Sequence, residues 1–312
     1  MKKAINTEHV EGRVYQHDLA IKTVQNKESK NYGKEFIAGN IDVAVDEEGV
    51  NVISVHFTYV TEDTKNGGKN ATFAALKKII NEGKAWITDG KDAATKVKID
   101  TALALNDFYR EDGTLVSAKV NEGGFVTIIS ELCDVSERNT FQADMIITAV
   151  SKTEADEEKN IAAPFVTIRG AIFNFRNDLL PIEFVVRSEA GMKHFENCEA
   201  SNSNPVFTKV WGKINCVTSV TTRTEESAFG EAAVKTYERK TKEWVVTGTA
   251  RFPYDFGDES VLTADELTKA MQNRQVYLAD KKKADEDYRA SKATQNATPA
   301  APTTAAKGTF TF

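Results

Sequence analysis

Cysteine is scarce. Cys133, Cys198 and Cys216 are the three in 312 residues, they are widely spaced, and no C-x-x-C joins them. That argues against a disulfide framework or a zinc site and reads them as buried thiols. The four histidines, His9, His17, His56 and His194, form no local metal-ligand spacing, and His56 reads as a packed or edge residue of a strand. No metal and no cofactor is expected. Long apolar runs are missing too, which excludes a membrane-spanning helix. The basic start Met1-Lys2-Lys3-Ala4-Ile5 passes into Asn6-Thr7-Glu8-His9 without the apolar stretch of a signal peptide. The expectation is a cytoplasmic protein. Nucleotide-binding loops, zinc-protease and serine-hydrolase motifs do not occur. Scattered acids could converge as metal ligands of a nuclease, but no short paired motif points there, so the chain does not read as an enzyme.

What is present is globular: 41% hydrophobic and 28% charged residues, enough for a sizeable core and about two domains. With 40 basic against 46 acidic residues the net charge is −6. A protein that coats duplex DNA by bulk charge is thereby excluded, and only local basic surfaces remain for any nucleic-acid role.

Alternating apolar residues at 10–23, 35–43 and 50–60 predict strands, the last two paired through the turn Asp46-Glu47-Glu48-Gly49. Phe73, Leu76, Ile79 and Ile80 predict an amphipathic helix over 71–82 ending at Gly83. Strand patterns resume at 114–120, 125–129 and 144–150. The acidic stretch 153–163 reads as a linker, with a DNA-mimicking run as the alternative. Beyond it, strands are expected at 165–175, 180–187, 206–222, 232–237 and 243–251, and a short helix at 191–197. Thr263-Ala264-Asp265-Glu266 is a capping box that opens a helix to about 290. The Ala, Thr and Pro composition of 291–312 predicts a flexible tail. The domain reading is therefore 1–152, linker 153–163, a second β-barrel at 164–262, helix 263–290 and tail 291–312.

Two basic and aromatic clusters stand out. Residues 22–34 hold Lys22, Lys27, Lys30 and Lys34 around Tyr32. Mobile cations suit phosphates and a flat ring suits unpaired bases, although a solvated hairpin without a partner would look alike. Residues 205–224 hold Lys209, Trp211, Lys213 and Arg223 and no acid. Lys209, Trp211 and Lys213 share a strand face at period two, as a stacking platform flanked by phosphate contacts requires. A packed or interface tryptophan is the alternative. Tyr237, Arg239, Lys240, Lys242 and Trp244 add a basic, aromatic hairpin, and Arg169, Phe173, Phe175 and Arg176 complete the suspected surface. Val10-Glu11-Gly12-Arg13-Val14-Tyr15 is echoed by Ile168-Arg169-Gly170-Ala171-Ile172-Phe173, as two small barrels with a glycine at a bend would give.

The Gly12-Arg13-Val14-Tyr15 strand, the basic loop at 27–34 and the low-complexity tail ending in Phe312 resemble phage and prophage single-stranded DNA-binding proteins with oligonucleotide-binding (OB) folds. The resemblance covers 8–61 and 164–254 best and leaves 95–150 unexplained. It implies a mainly β protein of two OB-like barrels that binds single-stranded DNA without sequence preference in phage replication or recombination, in the cytoplasm of a bacterial host. Bacterial relatives carry an acidic tip that docks replication or recombination proteins, whereas this tail is neutral to basic. The alternative function is a structural phage protein, a virion or assembly component without nucleic-acid binding.

Overall fold

The structure is a computed structural model that describes residues 4–156, 161–225, 233–255 and 262–296; the side chains of 217–225, 233–240, 264 and 293–296 are outside that description. Among the described residues, eleven strands form one hydrogen-bonded sheet that closes on itself twice.

The first ring contains β1 (Asn6–His17), its short continuation β2 (Ala20–Thr23), β3 (Glu35–Ala44), β4 (Val52–Thr61), β5 (Lys96–Tyr109) and β6 (Leu115–Ile128). β1 pairs antiparallel with β3 and β5, β3 with β4, and β5 with β6. A short parallel contact from β4 to β6 closes the circle. Between β4 and β5 lie α1 (Ala71–Glu82) and the single turn α2 (Trp86–Asp89). α1 begins where Asn70 accepts from the Thr72 N–H, and it turns Phe73, Leu76 and Ile79 inward. The second ring repeats this plan with β7 (Asn139–Thr153), β8 (Phe165–Phe173), β9 (Leu179–Val186), α3 (Glu189–Glu196), β10 (Val206–Glu225) and β11 (Ala233–Thr249). Its antiparallel pairs are β7–β8, β8–β9, β7–β10 and β10–β11, and a parallel β9–β11 bridge closes it. Five strands joined in the order 1-2-3-5-4-1, with a helix between the third and fourth, is the topology of an OB-like barrel. The fold is mainly β with two such barrels.

Closure explains 95–150, where the sequence predicted strands but the family resemblance did not reach: β5 and β6 complete the first ring and β7 opens the second. The acidic stretch 153–163, expected to divide the domains, connects β7 to β8 inside the second ring. The glycine echo also changes meaning. Gly12 lies on the first strand of its ring and Gly170 on the second strand of its own, so the two are not equivalent. Each nonetheless admits a close backbone, since a Cβ would strike the Ala44 carbonyl oxygen at Gly12 and that of Ile146 at Gly170. The two strands expected at 232–237 and 243–251 are one, because the charged run between them is held by continuous pairing to β10.

The rings share one core that runs from Val10, Ile41 and Phe57 to Phe184, Ile214 and Trp244. They are joined by β1–β7 pairing and by two asparagines. Asn6 Nδ2 donates to the carbonyls of Leu103 and Phe173, and Asn51 Oδ1 accepts from the Cys216 N–H at 2.8 Å. α4 (Ala264–Asn296) opens on the predicted capping box: Thr263 N donates to Glu266 Oε2 at 3.0 Å and Glu266 N to Thr263 Oγ1 at 3.2 Å. It runs past 290, where Arg289, Ala290, Lys292, Ala293 and Gln295 are good helix formers. The Arg274 guanidinium holds the Asp107 carboxylate of β5 through two bonds of 2.7 Å. No described helix is long and apolar enough to cross a membrane. Residues 297–312, most of the expected tail, lie outside the described residues.

Candidate nucleic-acid interface

On β10, Val210, Ile214 and Cys216 turn into the second ring while Lys209, Trp211 and Lys213 occupy the alternate, partly exposed positions. The Trp211 ring lies across Gly248 of β11, where a Cβ would collide with the indole, and 39% of the residue stays exposed. Glycine in that position gives the ring a floor and leaves its other side open. Lys209 and Lys213 make no ion pair among the described residues. Asp134 feels the Lys213 charge: it is held below its ordinary carboxylate range chiefly by hydrogen bonds from Ser136, with the charges of Arg138 and Lys213 adding.

Past Lys213, β10 has no β7 partner and continues with β11 as a two-stranded ribbon. The register sets Ser219 opposite Arg239, Thr221 opposite Tyr237 and Arg223 opposite Lys235. These positions have the parity of Trp211 and Lys213. Thr218 opposite Lys240, Cys216 opposite Lys242 and Ile214 opposite Trp244 have the other parity. The side chains of Arg223, Tyr237, Arg239 and Lys240 lie outside the described residues. Lys242 is exposed beside a groove of about 370 Å³ that it shares with Cys216 and with Asp18, Asn40 and Asp42 of the first ring. Side-chain and backbone hydrogen bonds from Asn40 keep Asp18 below its ordinary pKa, so Lys242 shares this groove with two carboxylates, those of Asp18 and Asp42.

Trp244 is a correction to the sequence reading. It is 1% exposed, its indole N–H donates to Glu8 Oε1 at 2.7 Å, and the Lys119 ammonium sits 5.1 Å from its ring. It therefore belongs to the core where the rings meet and has no face to offer a base. The run Trp244-Val245-Val246 concealed this, since three apolar residues in a row hide the alternation. Phe173 is core as well, at 0% exposure.

The second cluster is the β2–β3 connection. Lys22, Lys27, Lys30 and Lys34 are all exposed and make no ion pair among the described residues; Tyr32 is 52% exposed. The loop expected to be flexible is folded into turns: Tyr32 N donates to the Ser29 carbonyl, Lys34 N to that of Asn31, and Gly33 N to that of Val24, with Gly33 at φ 78°. Asn31 Nδ2 donates to the Tyr59 hydroxyl at 3.2 Å, and the Tyr59 and Phe36 rings pack at 4.7 Å. Tyr59, 46% exposed, is a ring the sequence reading missed, because the β-bulge between Ile37 and Gly39 shifts the register that would have flagged it. Arg169 sits apart on β8, bound to Glu183 at 3.3 Å and to Ser151 Oγ at 3.2 Å. Phe175 and Phe252, at 66% and 72% exposure, each lie under the guanidinium of the adjacent arginine, Arg176 and Arg251. Arg251-Phe252 was missed although the neighbouring cation and ring were its signal.

No curated protein matches this chain. Among solved structures, a deletion mutant of the single-stranded DNA-binding protein from Thermus aquaticus aligns at a TM-score of 0.47 and 10% identity, over 83% of this chain and 100% of that one. The family YorF matches residues 6–284. That span runs from the first residue of β1 through both rings and well into α4, and the chain belongs to the YorF family.

Proposed function

We propose that this protein binds single-stranded DNA without sequence preference, in a phage-type replication or recombination setting. The observation that carries the reading is the shared parity of Lys209, Trp211, Lys213, Arg223, Tyr237 and Arg239 along the β10–β11 ribbon. Alternate positions of a paired strand share a face, so the open indole, floored by glycine, stands between Lys209 and Lys213 on one strand face, and the backbone register carries that parity on along the ribbon. Lysines neutralise phosphates, and Trp211 accepts any base through its π-face. Lys22, Lys27, Lys30, Tyr32 and Lys34 form a second contact region, with Tyr59 beside it. Arg169 and Lys242 are minor contributors, one ion-paired and the other sharing a groove with Asp18 and Asp42.

The test is titration with an unstructured oligonucleotide, read by tryptophan fluorescence and mobility shift against duplex DNA. Wild type should quench and prefer the single strand. Trp211→Ala should weaken binding by ~1–3 kcal/mol and lower folding stability by less than the ~3–5 kcal/mol that truncating a fully buried tryptophan costs, because part of the ring already faces solvent. An unaltered affinity, or binding to neither nucleic acid, would refute the proposal.

A further inference from the structure

His9 and Glu11 stand two residues apart on β1 and share its outward face, while Val10 and Gly12 turn inward. The segment between β6 and β7 crosses this face, and the Cys133 N–H donates to Glu11 Oε1 at 2.5 Å. His9 Nε2 lies 3.4 Å from Glu11 Oε2. One ligand atom from each of His9, Glu11 and Cys133 falls within 4.8 Å of the others. On the far side of the imidazole, Asp100, the β5 register partner of His9, lies with Oδ1 3.0 Å from His9 Nδ1. A proton on Nδ1 donated to that carboxylate leaves the Nε2 lone pair turned toward Glu11 and Cys133. A carboxylate behind a histidine is the support that fixes the tautomer of metal-ligating imidazoles.

We propose that His9 Nε2, a Glu11 carboxylate oxygen and the Cys133 thiolate bind a divalent transition ion of the zinc class, with solvent as fourth ligand. A nitrogen, oxygen and sulfur set selects zinc over magnesium or calcium, which take oxygen ligands. Tetrahedral zinc with bonds of ~2.0 Å to nitrogen and oxygen and ~2.3 Å to sulfur puts donor atoms roughly 3.3–3.5 Å apart, a contraction that side-chain rotation supplies. The thiolate and the Glu11 carboxylate balance the dication, and the thiol proton passes to solvent as the sulfur–metal bond forms. The nearby Arg138 is engaged elsewhere: its Nε donates to the Cys133 carbonyl at 2.8 Å and its NH1 to Glu47 at 2.7 Å. The ion would clamp the connection between the rings onto β1, which itself pairs with β7. The cysteine spacing read from the sequence missed this set because two ligands alternate on one strand and the third arrives from a loop more than a hundred residues later.

The test uses the full chain, stripped with chelator and titrated with cobalt(II), with zinc measured by competition against a chromophoric chelator. One equivalent should bind, with a thiolate-to-cobalt charge-transfer band and tetrahedral d–d absorption, and zinc should raise the unfolding temperature. Cys133→Ser should abolish the charge-transfer band, while Cys198→Ser keeps it. Asp100→Asn, at an exposed carboxylate that holds no ligand position, should weaken zinc ~10–100-fold and keep the fold. Absence of the band in wild type, its survival in Cys133→Ser, or unchanged zinc affinity in Asp100→Asn would each overturn the assignment.

Discussion

Glu8 offers a perturbation whose size follows from its surroundings. It is 2% exposed on β1; Oε1 accepts the Trp244 indole N–H, and Oε2 is buried with no hydrogen-bond partner among the described residues. Burial pushes its carboxyl from 4.5 up to about 8, against the smaller opposing effect of the Trp244 bond. Between those two values the folded chain keeps a proton that the unfolded chain has released. The folded state thus binds more protons, and stability must fall as pH rises from about 4.5 to about 8, then level off. At about 1.36 kcal/mol per pH unit the full fall is roughly 5 kcal/mol, an upper figure for one residue. Glu8→Gln keeps an oxygen for Trp244 and removes the ionisation. Urea unfolding of both proteins across pH 5 to 9 should show the variant close to wild type at the acid end and more stable by several kcal/mol at the alkaline end. The other titrating groups are common to both, so the difference isolates Glu8. Parallel stability profiles would refute the reasoning and mean that water reaches the carboxylate.

Arg274→Ala strips the guanidinium from Asp107, whose side chain is 1% exposed and which, among the described residues, then keeps Ser117 Oγ as its side-chain donor at 2.6 Å. A loss of ~3–5 kcal/mol in chemical unfolding is expected, and a loss below ~1 kcal/mol would mean that α4 is not docked through this pair. Gly170→Ala should destabilise by ~1–3 kcal/mol because its Cβ enters the Ile146 carbonyl. Gly68→Ala, whose nearest atom is Thr64 Oγ1 at 3.6 Å, should stay within ~0.5 kcal/mol in the same thermal scan. If Lys22, Lys27, Lys30, Lys34, Lys209 and Lys213 contact phosphates, log affinity against log salt should slope at about −4, and Lys213→Ala should flatten it by under about one unit. Binding flat in salt would contradict the electrostatic part of the proposal.

Local pattern alone determined a good deal. The spacing of Phe73, Leu76 and Ile79 sets α1 over Ala71–Glu82, and Thr263 with Glu266 sets the start of α4. The period-two triplet of Lys209, Trp211 and Lys213 sets an outward face on β10. These are consequences of helix and strand geometry acting over a few residues, so they can be read without knowing what packs where. Tertiary structure decided the rest. Alternation states which residues share a face but not which strand lies beside it, so the closing β4–β6 and β9–β11 contacts and the place of β7 in the second ring depended on pairing between distant segments. Trp211 and Trp244 look alike in sequence, each on a strand near lysines. One lies open over a glycine, and the other is sealed against Glu8 from the opposite ring, because only the meeting of the two barrels determines which indole water can reach.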